Sequence, residues 1–107
     1  MDFACTRETG ERCGGICRVT GEVDMSNAHE LSDHAAAALT AHGTPLVIDL
    51  NGVTFMDSSG LRALVAIRKH AIRRGAWSGV ELRGVPRRVL RMMTTAECAW
   101  FYHDHPG

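Results

Sequence analysis

A serine flanked by an aspartate and a glycine stands where the chain changes from a strand pattern to a helix pattern. Residues 57–61 read Asp-Ser-Ser-Gly-Leu. Asp57 and Ser58 are natural N-cap residues, because their side chains accept hydrogen bonds from the first free backbone N–H groups of a helix. A hydroxyl there also lies at the positive end of the helix dipole, where several backbone N–H groups converge. The motif therefore predicts a serine hydroxyl at a helix cap that is local and reachable.

Two apolar runs with different spacing surround this motif. Leu46 to Leu50 has the length and branched content of a buried strand, and Pro45 in front of it disfavours helix. After the motif, apolar residues recur at helical spacing: Leu61, Leu64, Val65, Ile67, Ala71 and Ile72. The opposite face of this helix carries Arg62, Lys69, His70 and Arg73. Arg68 interrupts the apolar face, so we expect its stem to lie along the core while its guanidinium escapes near the helix end.

Upstream of this unit, the sequence predicts two strands and a helix. The strands are expected over residues 2–9 and 15–20, and residues 21–24 are expected to break the second one. Asn27 then serves as the cap of a helix that runs to about Ala41. Strand, connection and helix in succession indicate parallel βαβ units and hence an α/β fold.

The length of the chain fits one small domain. Its 107 residues can bury about 65% of the surface of the unfolded chain, which leaves no room for a second core. A short strand is expected at residues 80–82, and a further helix begins at Pro86. We predict a single domain over residues 1–107, with its core at about 15–96 and a flexible tail at 103–107.

Composition excludes several classes of partner. Twelve basic and twelve acidic residues cancel, so no overall field favours nucleic acid or an anionic membrane. No apolar stretch approaches the about 20 residues of a membrane span, and we expect a soluble, intracellular protein. In such a compartment the cysteines stay reduced, and Cys5 and Cys17 are interpreted as small apolar strand residues.

Two segments together resemble a known family. Residues 53–61, which contain the Asp-Ser-Ser-Gly-Leu motif, and residues 20–24, which read Thr-Gly-Glu-Val-Asp, are similar to the STAS domain in its anti-sigma factor antagonist form. The resemblance implies an α/β fold with a small mixed sheet of four to five strands and helices packed mainly on one face. It implies a cytoplasmic bacterial regulator that, when unphosphorylated, binds an anti-sigma factor that is itself a serine kinase.

The resemblance also assigns roles to residues. It makes Ser58 the phosphoacceptor and predicts a partner-binding surface formed by Asp24, Asp57, Ser59, Gly60 and Leu61. The expected partners are the anti-sigma factor serine kinase and a serine phosphatase, with no nucleic acid, no membrane and no cofactor, because ATP belongs to the kinase. A non-phosphorylated STAS scaffold or transport accessory subunit is the alternative within the family.

Two other classes of function were weighed from the residues. A metal module would use Cys13 and Cys17 with His103 and His105, at an admissible cysteine spacing for zinc, but the histidines lie in the predicted tail about ninety residues away. A hydrolase would need a base beside Ser58. His70, on the same helix, lies about 18 Å away by helical rise, so the serine is not activated. We therefore predict that the protein is not an enzyme.

Overall fold

The predicted α/β fold is confirmed. The computed structural model describes residues 3–8, 15–42, 46–73 and 80–93. Along these residues the elements are β1 Ala4–Glu8, β2 Gly15–Val23, α1 Ala28–His42, β3 Leu46–Met56, α2 Ser58–Arg73, β4 Val80–Arg83 and α3 Arg87–Met92. The sheet has the order β1-β2-β3-β4, with β1 antiparallel to β2 and the other neighbours parallel.

The helices α1 and α2 lie on the same face of the sheet. Both parallel connections move in one direction across the sheet, and such connections are right-handed in nearly all proteins, so their helices fall on one side. The two helices pack against each other. Large residues of the core between them and the sheet are Val19, Val23, Leu31, Leu46, Ile48, Leu50, Met56 and Leu64. Cys17 is fully buried and Cys5 half-buried, and both are free thiols.

The two central strands are longer than the sequence predicted. β2 does not break at Gly21 but continues to Val23, and β3 does not end at Leu50 but continues to Met56. Register shifts between the strands absorb the polar residues that interrupt the apolar pattern. Gly21 has a φ of 86°, a left-handed conformation that glycine adopts without steric cost. Because the strands run on, both end at the same edge of the sheet.

The helix α2 begins before Leu61, the first residue of its apolar pattern, and buries fewer of the predicted apolar side chains than expected. It starts at Ser58, and the largest buried side chains on it include Leu61, Leu64 and Ile67. Val65 is only half-buried and Ile72 is exposed, so the predicted apolar face was too wide. Arg68 is half-buried, and burial lowers the pKa of its guanidinium.

The opposite face of the sheet carries charges of alternating sign. Arg18 donates to Glu8 at 3.1 Å and to Asp49 at 2.8 Å, and Asp49 lies in register between Arg18 and Arg83. The Asn51 backbone N–H, which bonds Asp49 Oδ1 at 2.9 Å, and the two arginines hold the pKa of Asp49 below its usual value. Around Asp49 this face is therefore charged and polar, although Val47, two residues earlier on the same face of β3, is only 1% exposed. The main apolar core lies on the helix side.

Some predictions lie outside the described residues. These include the tail at 103–107, the turn between the first two strands and the C-terminal packing beyond residue 93. None of the helices in the described ranges has both the length and the apolar character needed to cross a membrane.

Candidate functional site

The start of α2 is organised by Asp57. Its Oδ1 accepts the backbone N–H of Ser59 at 2.8 Å, and its carbonyl oxygen accepts those of Gly60 at 3.1 Å and Leu61 at 3.3 Å. Asp57 is therefore the N-cap, and Ser58 is the first residue of the helix. Of the two cap candidates that the sequence offered, the structure selects Asp57, so capping does not occupy Ser58.

Ser58 is an exposed residue at the start of α2. Its side chain lies at the surface at the positive end of α2, and within the described ranges no hydrogen bond engages its Oγ. Ser59, the neighbouring hydroxyl, is half-buried. A modifying enzyme can thus reach Ser58 more easily than Ser59, and modification would break no bond of the folded chain.

Asp24 holds the loop between β2 and α1 in one conformation. Its Oδ1 accepts both the hydroxyl of Ser26 at 2.5 Å and the backbone N–H of Ser26 at 2.9 Å, and these bonds, the hydroxyl first, lower the pKa of Asp24. Asn27 accepts the Asp24 N–H at 3.0 Å and donates to the Glu22 carbonyl at 2.9 Å. Asn27 precedes α1 as predicted, but its side chain ties the loop to β2 rather than capping the new helix.

A backbone hydrogen bond joins this loop to the start of α2. The Asp57 N–H donates to the Val23 carbonyl oxygen at 3.2 Å, and Val23 lies in register with Met56. Asp24 and Asp57 therefore follow directly on paired strand ends. The structure brings together the two segments on which the family resemblance was based, and Ser58 lies at their junction.

Gly60 is buried and has a packing role. A Cβ built at this position would overlap Met56 Cγ and would lie 2.8 Å from Met56 Sδ. Met56 is only 1% exposed, so it has no open space to move into. Gly60 thus allows the first turn of α2 to lie close against β3, which sets the position of Ser58. Leu61, next in the chain, is also mostly buried.

An open groove runs along α2 from Ser58. Its volume is about 490 Å³, and it is lined by Ser58, Leu61, Arg62, Val65, Ala66 and Lys69. The lining combines apolar side chains with two cations. Sequence reasoning placed Arg62 and Lys69 on the solvated face and missed their grouping with Ser58. The four-residue spacing of Ser58 and Arg62 on one helix was the available signal.

Two exposed apolar residues near the same sheet edge were also missed. Met25, between Asp24 and Ser26, is 83% exposed. Phe55, which lies in register with Glu22 near the end of β3, is 36% exposed, and its ring centre lies 5.0 Å from the Arg88 guanidinium carbon. Met25 in a polar loop was the visible sequence signal, whereas the pairing of Phe55 with Arg88 required the fold.

The residues of the metal hypothesis are not assembled in the described structure. Cys17 lies in the core, while Cys13, His103 and His105 lie outside the described residues. Within the described ranges, no group of three or more His, Cys, Asp or Glu side chains is placed to hold a metal ion.

Comparison with known proteins identifies the family. A family model described as "Mlab, STAS domain" matches residues 7–99. The anti-sigma-F factor antagonist RsfA of Mycobacterium tuberculosis is 38% identical over 74 residues, which is 67% of this chain and 55% of RsfA. The chain thus matches little more than half the length of this relative. It belongs to the STAS domain family, as the motif resemblance predicted.

Solved structures show the same fold. An antisigma-factor antagonist STAS domain from Rhodobacter sphaeroides has a TM-score of 0.61 at 25% identity, covering 77% of this chain and 86% of that one. The anti-sigma factor antagonist SpoIIAA, in its unphosphorylated form, has a TM-score of 0.59 at 24% identity, covering 90% of this chain and 94% of SpoIIAA. The mixed sheet with helices on one face is therefore the SpoIIAA-like form of the fold.

Proposed function

We propose that this protein is an anti-sigma factor antagonist controlled by phosphorylation of Ser58. Unphosphorylated, it binds an anti-sigma factor that is a serine kinase. The kinase transfers the γ-phosphoryl group of ATP to Ser58 Oγ, releasing ADP and a proton, and the modified protein dissociates. A serine phosphatase hydrolyses the ester, releases inorganic phosphate and restores binding. The observation that carries the proposal is an exposed Ser58 whose hydroxyl has no hydrogen-bond partner among the described residues, beside a helix cap that Asp57 provides.

The placement of Ser58 supports a switch based on charge. A phosphate adds about −1.5 to −2 charges and three acceptor oxygens, and the start of a helix tolerates this anion. A partner that covers Ser58 would have to desolvate the phosphate next to Asp57, which has the same sign. An uncompensated buried charge costs about 3–5 kcal/mol, and this lowers affinity several hundredfold or more.

The proposed binding surface combines the predicted residues with their neighbours. Asp24, Asp57, Ser59 and Leu61 surround Ser58 at the shared sheet edge, while Gly60 contributes by letting α2 pack closely on β3. In this proposal the chain supplies no catalytic group and needs no cofactor of its own. It acts as the substrate of the kinase and the phosphatase in the cytoplasm.

The test of the modification is intact mass before and after incubation with the cognate kinase and ATP. We expect the gain of one phosphate group, located at Ser58 by fragmentation. Ser58→Ala should abolish the gain, and Ser59→Ala, the matched control one residue along, should keep it. A phosphate found on Ser59 in the parent protein would contradict the assignment.

The test of the switch is binding to the unphosphorylated anti-sigma factor. Ser58→Ala should bind as the parent does and should stay bound in the presence of ATP. Ser58→Asp should bind at least about a hundredfold more weakly, because it places an unpaired charge in the interface. Equal affinity of Ser58→Asp and the parent would refute the electrostatic account.

A second candidate is a STAS subunit that binds its partner without phosphorylation, as a scaffold or a transport accessory subunit. The matching family model is described as "Mlab, STAS domain" and does not name an anti-sigma factor antagonist, so it is compatible with this candidate. The two candidates differ in two observables. A subunit of this kind would keep its partner in the presence of kinase and ATP, and Ser58→Asp would be tolerated.

A further inference from the structure

The proposed phosphate would enter a region of uneven charge. Asp57, directly before Ser58, repels it, while Arg62 and Lys69 line the groove that Ser58 opens into. Other charged groups near this end of the sheet lie on β2, the β2–α1 loop, the first turn of α1, and α3: Glu22, Asp24, His29, Glu30 and Arg88. The cation that pairs with the phosphate determines which charges of the groove remain available to a partner.

Arg62 is the cation within reach of Ser58. The two residues are four apart on α2 and line the same groove, with about 6 Å of helical rise between them. Lys69 is eleven residues from Ser58, about 16 Å along the helix. Arg88 lies over the ring of Phe55 instead. Arg62 is exposed, and within the described ranges it forms no ion pair that would compete.

We propose that Arg62 is the intramolecular partner of the phosphate on Ser58. The proposal rests on the proposed phosphorylation and names how the site is regulated. In the unmodified protein, Arg62 and Lys69 give the groove two positive charges. In the phosphorylated protein, the Arg62 guanidinium turns toward the phosphate. The order of the pair, acid before base at a four-residue spacing, is the favourable one on a helix.

The pairing changes what the groove offers to a partner. The phosphate brings about −1.5 to −2 charges, which outweigh the single charge of Arg62. A partner surface whose acidic side chains bind Arg62 loses that attraction, because the phosphate engages the guanidinium. Arg62 is therefore a positioning residue that extends the effect of the modification by one helical turn, while Lys69, about 16 Å along the helix, keeps its charge.

The experiment measures the second ionisation of the phosphate, which has a pKa of about 6 in phosphoserine. Phosphoserine is installed at position 58 of the full chain during synthesis, so no kinase is needed, and the ³¹P chemical shift is followed against pH. A nearby cation favours the dianion and lowers this pKa. We expect Arg62→Gln to raise it by about 0.3 pH units, which at 1.36 kcal/mol per unit corresponds to about 0.4 kcal/mol.

Matched variants separate pairing from general charge. Lys69→Gln removes one positive charge from the same groove and should leave the phosphate pKa unchanged within about 0.1 unit, because of its distance. Arg62→Lys should restore part of the shift. All variants keep Asp57 and the surrounding titratable groups, so their contributions cancel in the comparison. In 1 M salt the effect of Arg62→Gln should largely vanish, because charges are screened beyond about 3 Å.

Two results would overturn the inference. One is a titration of Arg62→Gln that superimposes on the parent, and the other is an equal shift in Lys69→Gln. Failure of the proposed function would be observed separately, as a kinase assay in which the kinase neither binds the chain nor modifies Ser58. The phosphate titration is independent of that outcome.

Discussion

Replacing Gly60 with alanine tests the packing that positions Ser58. Inside a helix, this change normally stabilises by about 1 kcal/mol, because alanine restricts the unfolded chain and favours helix. At Gly60 the new methyl group would overlap Met56 Cγ and lie 2.8 Å from Met56 Sδ and 3.2 Å from Met56 Cε. Overpacking of a filled core costs about 1–3 kcal/mol. We therefore expect a net loss of about 1 kcal/mol in the free energy of unfolding, opposite in sign to the helix preference.

The assay is urea unfolding of the parent, Gly60→Ala, Met56→Ala and the double variant. Met56→Ala removes the obstructing side chain, so in that background Gly60→Ala should stabilise by about 1 kcal/mol. Ala66→Gly, at an exposed position of α2, calibrates the helix preference in the same helix and should cost about 1 kcal/mol. If Gly60→Ala stabilises the parent as much as it stabilises the Met56→Ala variant, the close approach to Met56 does not control the position of this helix start.

The remaining predictions concern the helix cap, the charged face of the sheet and a glycine with a positive φ. Asp57→Ala should lower the free energy of unfolding by about 1 kcal/mol through loss of the bond to Ser59, and Asp57→Ser should recover most of it, by urea unfolding. Because the pKa of Asp49 is lowered in the folded protein, its carboxylate stabilises the fold above the unfolded pKa, about 3.9, and this effect is lost as pH falls through the lower folded value. In Asp49→Asn, the free energy of unfolding should depend less on pH in this range. Gly84 has a φ of 70°, and its Cβ would lie 2.9 Å from the Asn51 backbone nitrogen, so Gly84→Ala should cost more than about 1 kcal/mol and lower the Tm.

The elements with a largely apolar run or face were predictable from sequence. The run from Leu46 to Leu50 and the helical spacing after Leu61 indicated the central strand and helix, because most of their apolar residues are buried. The strand ends were not predictable in the same way. Polar residues after Leu50 look like a loop, but register shifts against β2 keep them in the sheet to Met56. Such shifts depend on a neighbour distant in sequence, so no local pattern encodes them.

The candidate site was likewise predictable only in those features that depend on neighbouring residues in the sequence. The Asp-Ser-Ser-Gly-Leu motif indicated a helix start and a reachable hydroxyl, since capping chemistry is local. It left open whether Asp57 or Ser58 is the cap, because both residue types suit the position. The groove beside Ser58 was missed, since a helical projection sorts Arg62 and Lys69 only as exposed and does not show which side chains line a common concavity. The four-residue spacing of Ser58 and Arg62 was its local signal.

Asp57 and Ser58 have separate roles in the proposed switch, so the site would change its charge without changing its fold. Asp57 makes several bonds that hold the helix start: its N–H bonds the Val23 carbonyl, its carbonyl oxygen accepts the N–H groups of Gly60 and Leu61, and its carboxylate accepts that of Ser59. Ser58, one residue on, contributes no side-chain bond within the described ranges, and the backbone that carries it is held by its neighbours. With an aspartate as the cap, the stability of the helix start and the recognition of a partner depend on different side chains. The proposed phosphate on Ser58 would therefore act on the partner and on Arg62 while the end of the sheet beneath it stays in place.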